Sequence, residues 1–428
     1  MNMEESQPSV LDELAKCNRC GFCLVACPVY QATGIEAKAP RGRNFLARVI
    51  LEQRVPWTVD AKESLFQCLG CRACVEHCFP AVETNELMVS MRSDYHRRFG
   101  QPWIEKFLFH NLLPNPQKLG KAIRKASLLK SGATLVRSLS FIPWFRWEIL
   151  KAVELLPPLP KETLRERWKA LPGGGKGKSV AYFGGCAFNF VLPDIGRATL
   201  GLLGEAGCPV VWPEHVCCGL PAYGHGDLEG ARRMARKNLD AFRDIQAEAI
   251  VTECASCSSF LKKYPTLFAG EPGYRQLAET LRTKVKDISE FLSSFEISIP
   301  ARRFSGRVTF HDPCHLNRFQ KIKIQPRTLL RKIEGLTLVE MGESEACCGG
   351  GSSLNLSDYD LSMKILQRKM ENIRKTGADV LVTSCPGCYL QLRHGVKKNG
   401  LPMEVCYLTE MLAGVLERKG KHGIAEEG

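Results

Sequence analysis

The chain has 428 residues, 44% hydrophobic and 24% charged, the balance of an ordinary soluble protein long enough for about two to four domains. No apolar run approaches the ~18 residues of a membrane span, and the acidic start MNMEESQPSVLDELAK lacks the basic and apolar parts of a secretory signal, which predicts the cytoplasm or its side of a membrane. The formal charge of +14 raises nucleic acid as a partner, but +10 of it sits between Arg97 and Lys169 and no nucleic-acid-binding motif accompanies it, so none is expected.

Twenty cysteines in a reducing compartment point to metal or redox chemistry rather than disulfides. The first eight form two blocks, Cys17-x2-Cys20-x2-Cys23-x3-Cys27-Pro28 and Cys68-x2-Cys71-x2-Cys74-x3-Cys78, the latter followed by Phe79-Pro80. Three thiolates spaced by two residues wrap one cluster, and the fourth ligates the neighbouring cluster in two-cluster ferredoxins. The expected ligand sets are therefore Cys17, Cys20, Cys23 and Cys78 for one [4Fe-4S] cubane, and Cys68, Cys71, Cys74 and Cys27 for the other. Zinc, which takes four ligands as two separated pairs, fits this spacing badly. Phe79 displaces the second proline by one place relative to the first block.

Between the blocks, APRGRNFLARVILEQ predicts a helix opened by Pro40, with Phe45, Leu46, Val49 and Ile50 as its apolar face. Arg41 and Arg43 at its start either offset cluster charge or are a solvated helix end. Fifteen Lys/Arg against five Asp/Glu follow between Arg97 and Lys169, and Trp103 to Trp168 holds four of the six tryptophans. This segment predicts helices interrupted at Pro114, Pro116 and Pro143. Three placements are open: an anionic membrane surface, a partner subunit, or packing within the chain. LLPPLP and LPGGGKGK read as a linker. GKS at Gly177–Ser179 precedes a strand rather than following one, so it is not a phosphate loop.

The remaining cysteines form an internal repeat. Cys186, Cys217, Cys218, Cys254 and Cys257 recur as Cys314, Cys347, Cys348, Cys385 and Cys388. SVAYFG and RVTFHD predict strands ending at the first cysteine, PVVW and LTLVEM short strands before the double cysteine, and EAIVT and ADVLVT buried strands delivering the CxxC. Residues 227–246 and 357–376 predict helices. Alternating strands and helices imply α/β units with parallel sheets, and sites beyond the carboxyl ends of the strands. Five sulfurs per unit suit a multi-iron cluster better than zinc or a redox disulfide, though both stay open. Gly219, Gly349, Gly350 and Gly351 supply the torsions that adjacent ligands need. His215, His225, His311, His315 and Asp312 are candidates to carry protons or tune a cluster. Cys208 and Cys406 lie outside the patterns and read as core residues.

The paired CxxCxxCxxxC blocks, PRGR between them, and two CCG units with CxxC tails resemble the iron–sulfur subunit family of glycolate oxidase, whose wider group includes lactate-utilisation proteins and the CCG subunit of heterodisulfide reductase. The resemblance implies an α+β and α/β chain. Residues 1–100 would form a helical two-[4Fe-4S] ferredoxin-type domain, 101–176 a basic helical linker, and 177–300 and 301–428 the CCG units. It implies a partner FAD flavoprotein that oxidises a 2-hydroxy acid (glycolate or D-lactate), with electrons passing through this chain toward quinone or another acceptor, at most peripherally on a membrane. In heterodisulfide reductases complete CCG units hold noncubane [4Fe-4S] clusters that cleave a disulfide. Both units here are complete, so that alternative is carried, with one or two further clusters on the ten CCG cysteines.

Overall fold

A computed structural model describes residues 9–131, 155, 157–168, 177–294 and 303–414. The N-terminal part is helical. Pro40–Leu51 forms the expected helix, but its phase differs from the apolar reading. Val49 and Ile50 are buried as expected, but Pro40, Arg43, Asn44 and Ala47 share the inward side with them, while Phe45 is exposed. The inward stripe keeps i, i+3, i+4 spacing, and each of its two polar members is anchored by one hydrogen bond: Arg43 Nε donates to the Ser64 carbonyl at 2.8 Å and Asn44 Nδ2 to Thr84 Oγ1 at 3.1 Å, while Arg43 Nη2 and Asn44 Oδ1 have no protein partner. Thr84–Phe99 packs across this helix and carries the buried Leu87, Met88, Met91 and Arg92.

Of the basic segment, Trp103–Phe107 is helical and runs into a π-turn at Leu108–Leu112. A new helix starts on Pro116, where the missing N–H costs nothing. Phe109, Leu113 and Leu119 are buried in the core of the first α/β unit. Arg165 lies 4.2 Å over the Trp212 ring and donates to the carbonyls of Trp212 and Pro213. Of the three placements open for this segment, its described residues thus pack within the chain, although Trp103 stays three-quarters exposed. Pro143 and the neighbouring tryptophans Trp144 and Trp147 lie outside the described residues.

Two four-stranded parallel sheets follow. β1 (Val180–Tyr182), β2 (Val210–Val211), β3 (Ala249–Thr252) and β4 (Val285–Asp287) are ordered β2-β1-β3-β4. β5 (Arg303–Phe310), β6 (Glu334–Leu338), β7 (Val380–Thr383) and β8 (Glu404–Tyr407) repeat that order as β6-β5-β7-β8. Tyr182 pairs with Val251 in the first sheet as Phe310 pairs with Val382 in the second. The expected helices are Leu228–Phe242 and Tyr359–Arg374, and each is capped by an aspartate: Asp227 accepts from the Gly230 N–H, Asp358 from the Leu361 N–H.

The units dock through helices. Pro193–Glu205 packs on Leu408–Leu412, and Ile288–Ser294 on Ile324–Arg331. Leu203, Ile288 and Phe291 of one unit share a core with Leu329, Leu330 and Met411 of the other, each burial contributing about 1.5–3 kcal/mol before entropy is counted. Cys208 and Cys406 are buried in this core, as expected for residues outside the motifs. The docking also has polar contacts: Tyr407 donates to the Glu253 carbonyl at 2.9 Å, and Tyr182 of the first unit holds Glu253 Oε1 at 2.6 Å.

Candidate metal centres

The two cysteine blocks adopt one backbone recipe. Counting from the first cysteine, the second and fourth following residues have positive φ in both: Arg19 (54°) and Gly21 (90°), then Gly70 (63°) and Arg72 (64°). Glycine serves one of these positions in each block and arginine the other, so the loop carries left-handed strain at an arginine twice. The left-handed turns curl the chain so that its sulfurs point to a common centre. Cys17, Cys20, Cys23 and Cys78 line one small pocket, and Cys27, Cys68, Cys71 and Cys74 line another, with Cys74 also reaching the first. Each pocket thus gathers the four cysteines grouped by spacing, the first with Cys74 in addition. Arg43 lines the second pocket beside Cys27, which favours its charge-offsetting reading. Arg41 is half-buried at the other loop, donating to the Arg19 carbonyl at 3.0 Å and pairing with Glu36 at 2.5 Å. Burial pushes the Cys23 thiol up to about 11; a metal that takes the proton's place removes that cost.

The ten repeat cysteines, five from each unit, open on a shared space. All ten line one chamber of about 300 Å³ between the units. Each double cysteine is followed by a left-handed glycine, Gly219 (φ 96°) and Gly349 (φ 89°). A Cβ on Gly349 would come within 2.6 Å of the Ser362 carbonyl oxygen, so only glycine fits there. The second member of each pair is the acidic thiol. Cys218 is lowered to about 6 by hydrogen bonds from Cys217 and then Cys257, and Cys348 well below the usual thiol range by those from Cys347 and then Cys388. Cys186 and Cys217 sulfurs lie 3.8 Å apart and Cys348 and Cys388 sulfurs 3.5 Å apart. The units also touch at the sites themselves: Ser256 Oγ is 3.3 Å from Cys385 Sγ, and the Ala255 N–H donates to the Ser384 carbonyl at 3.1 Å.

The candidate histidines separate. His215 faces away from the chamber, stacked on Phe183 at 4.2 Å with Nδ1 3.0 Å from the Pro213 carbonyl, and burial lowers it to about 4; it is structural. His225 lines the chamber with Nδ1 3.3 Å from Glu105. His315 lines it too, stacked on Phe319 at 4.5 Å and 3.2 Å from Ser259 Oγ. His311 lies against Cys348 and Cys388. Asp312 is held by Arg327 through two contacts of 2.8 and 2.7 Å, so its carboxylate is committed to an ion pair.

Two buried arginines escape a motif reading. Arg92 donates to the carbonyls of Phe66 at 2.8 Å and Cys68 at 2.6 Å, and to the Gly224 carbonyl, joining the second cysteine loop to the first unit. Arg318 lies one helical turn after Cys314. Its Nε is 3.3 Å from Glu76, and Cys71, Cys314 and Cys347 surround it; burial pulls its pKa down and these sulfurs more than offset the pull. Neither has a local sequence signal, because their partners lie far along the chain.

The donor chemistry fits iron–sulfur clusters. The sulfurs are grouped in fours beneath the N-terminal loops and in fives in each unit, largely buried and close enough to share protons. Residues 13–81 match the 4Fe-4S dicluster domain, so the N-terminal part is a two-[4Fe-4S] domain, and residues 180–262 and 308–393 each match the cysteine-rich CCG domain. A probable glycolate oxidase iron-sulfur subunit of Bacillus subtilis is 33% identical over 415 residues, 94% of this chain and 93% of that one. Lactate utilization protein A of an Exiguobacterium species is 32% identical over 55% of this chain and 96% of its own. One of the subunits of the fumarate reductase (CoM/CoB) of Methanothermobacter marburgensis is 35% identical over 56% of this chain and 47% of its own. The crystal structure of a hypothetical protein from Helicobacter pylori superposes with a TM-score of 0.55 at 10% identity over 97% of this chain and 74% of that one, a likeness of fold alone. On the strength of near-full-length identity and both domain matches, this chain belongs to the family of glycolate oxidase iron–sulfur subunits.

Proposed function

We propose that the chain is the electron-transfer subunit of a flavin-dependent 2-hydroxyacid dehydrogenase, acting on glycolate or D-lactate. A partner FAD subunit would remove the hydride, and this chain would pass single electrons toward quinone or another acceptor, in the cytoplasm or at its face of the membrane. Cys17, Cys20, Cys23 and Cys78 would hold one cubane, Cys27, Cys68, Cys71 and Cys74 the other, and the five cysteines of each CCG unit a further, noncubane cluster. When bound, the clusters supply one-electron carriers whose potentials follow local charge and hydrogen bonding.

The observation that carries this reading is the contact of Cys71, in the second cubane set, with Cys347 of the second unit. Carriers held by touching ligands are near neighbours. The chain's own residues keep them so: Leu69, Cys71, Cys314 and Cys347 pack in one cluster that leaves little room for water. The test is co-purification of the native complex under anaerobic conditions, with hydroxy acids screened as reductants. Reduction of this chain's clusters by glycolate or D-lactate only when a flavoprotein is present supports the reading. Oxidation of the acid by this chain alone would defeat it.

A second reading, a disulfide reductase with the CCG clusters as its working centres, is favoured by the way both sets of five cysteines face one chamber. Turnover of a disulfide by the isolated chain with a one-electron donor would support it over the first.

A further inference from the structure

The two units are not chemically equivalent, and the difference lies one residue beyond the central strand of each sheet. After β1 comes Phe183, three residues before Cys186; after β5 comes His311, three residues before Cys314. The backbones are in the same place: the Phe183 N–H donates to the Val251 carbonyl and the His311 N–H to the Val382 carbonyl, each at 2.9 Å. In the first unit the phenyl ring is core, packed on His215 and Phe242. In the second unit the imidazole is 1% exposed and neither Nδ1 nor Nε2 makes a well-formed hydrogen bond; the Ser344 carbonyl that stands near the ring is already engaged by the Asp312 N–H at 3.0 Å.

An imidazole buried with both nitrogens unpaired is unfavourable unless something absent from the protein atoms satisfies it. The ring lines the chamber. A ring nitrogen and the sulfurs of Cys348 and Cys388 all lie within 4.8 Å of one another, and the two sulfurs are 3.5 Å apart. Among the described residues this is the group of mixed donors compact enough for one metal ion.

We propose that His311 is a nitrogen donor to the metal centre of the second unit, beside Cys348 and Cys388, so that the second unit holds a sulfur-and-imidazole centre where the first holds sulfur alone. This rests on the reading that the second unit carries an iron–sulfur centre. Borderline iron accepts imidazole as readily as thiolate, and the other nitrogen is then free to donate to a neighbouring sulfur. The assignment also separates His311 from His215 and His315, which have partners of their own.

The experiment is pulsed EPR on the full chain, isolated anaerobically with its clusters and grown with 15N-labelled histidine in a 14N background. The wild type is expected to show a nitrogen hyperfine coupling on one cluster signal that changes from 14N to 15N with the label. His311→Phe, which installs the first unit's residue, is expected to lose that coupling while the cubane signals stay. His311→Gln replaces it if the phenylalanine variant does not fold. Cluster signals without any histidine nitrogen coupling in the wild type, or a coupling that persists in both variants, would overturn the assignment and leave the iron–sulfur reading standing. Iron confined to the two cubanes, about eight per chain, would overturn both.

Discussion

Arg92 Nη2 donates to the Cys68 carbonyl at 2.6 Å, from a helix whose first turn lies beyond the second cysteine block. The same guanidinium reaches the Leu65 and Phe66 carbonyls at 3.3 and 2.8 Å, the Gly224 carbonyl, and Ser352 Oγ at 3.4 Å. One side chain therefore ties the cubane loop to both α/β units, without a carboxylate partner among these contacts. Replacing Arg92 by leucine leaves several buried carbonyls unpaired, at about 1–3 kcal/mol for each that finds no water. The expected result is a loss of about 3 kcal/mol or more, read as a lower thermal midpoint and early release of the iron proposed to sit on Cys68. Lysine is expected to rescue little, since one ammonium cannot span a planar fork of acceptors.

The crossed ligation proposed for the two cubanes makes a second prediction. Cys78 lines the pocket of Cys17, Cys20 and Cys23, far before it in sequence, and not the pocket of its own block. Cys78→Ser is expected to weaken or lose the cubane proposed for the first block and to leave the one proposed for Cys27, Cys68, Cys71 and Cys74. EPR of the reduced variant, with iron analysis, distinguishes the two. Loss of the second block's signal instead would mean that ligation is not crossed.

How much of this was legible in sequence depends on distance along the chain. The strands ending at Cys186 and Cys314, the CxxC after β3 and β7, and the paired glycines were readable because a short apolar run and its following motif are contiguous. Val49 and Ile50 are buried as their apolar character implied, but Phe45 misled the helix reading, because Arg43 and Asn44, bonded to Ser64 and Thr84, take the inward positions of that turn. The merging of ten cysteines into one chamber was not readable. It follows from Pro193–Glu205 packing on Leu408–Leu412, a contact that no motif encodes. Four histidines looked alike in sequence; their partners in the fold, Pro213, Glu105, Ser259 and none, tell them apart.

Arg318 has its electrostatic effect where the second cubane meets the second unit. It is 6% exposed, it belongs to the helix that begins on Cys314, and the sulfurs of Cys71, Cys314 and Cys347 are its nearest charges besides Glu76. A buried positive charge stabilises the reduced, more negative form of a neighbouring cluster. Arg318→Gln is expected to lower at least one cluster midpoint by about 59 mV, tenfold in the one-electron equilibrium, in an EPR-monitored redox titration. Arg318→Lys, which keeps the charge, is expected to shift it less. Unmoved midpoints at wild-type iron content would mean that solvent and Glu76 already screen the guanidinium.

Asp287 offers a prediction about stability and pH. It ends β4, is fully buried, and accepts from the Ser289 N–H at 2.8 Å and from Ser289 Oγ at 2.5 Å, while Oδ2 has no partner. Burial raises its pKa to about 7, against the pull of those two hydrogen bonds. An unfolded aspartate titrates near 3.9. Between about pH 4 and 7 the folded chain therefore keeps a proton that the unfolded chain has lost. The contribution of this group falls as pH rises through that window, by at most about 1.4 kcal/mol per unit, and is flat above it. Asp287→Asn removes the titration and keeps an acceptor for Ser289. In denaturant unfolding at pH 5 and pH 8, the variant is expected to gain on the wild type as pH rises. An equal difference at both values would mean that water reaches the carboxylate and keeps its pKa near the ordinary one.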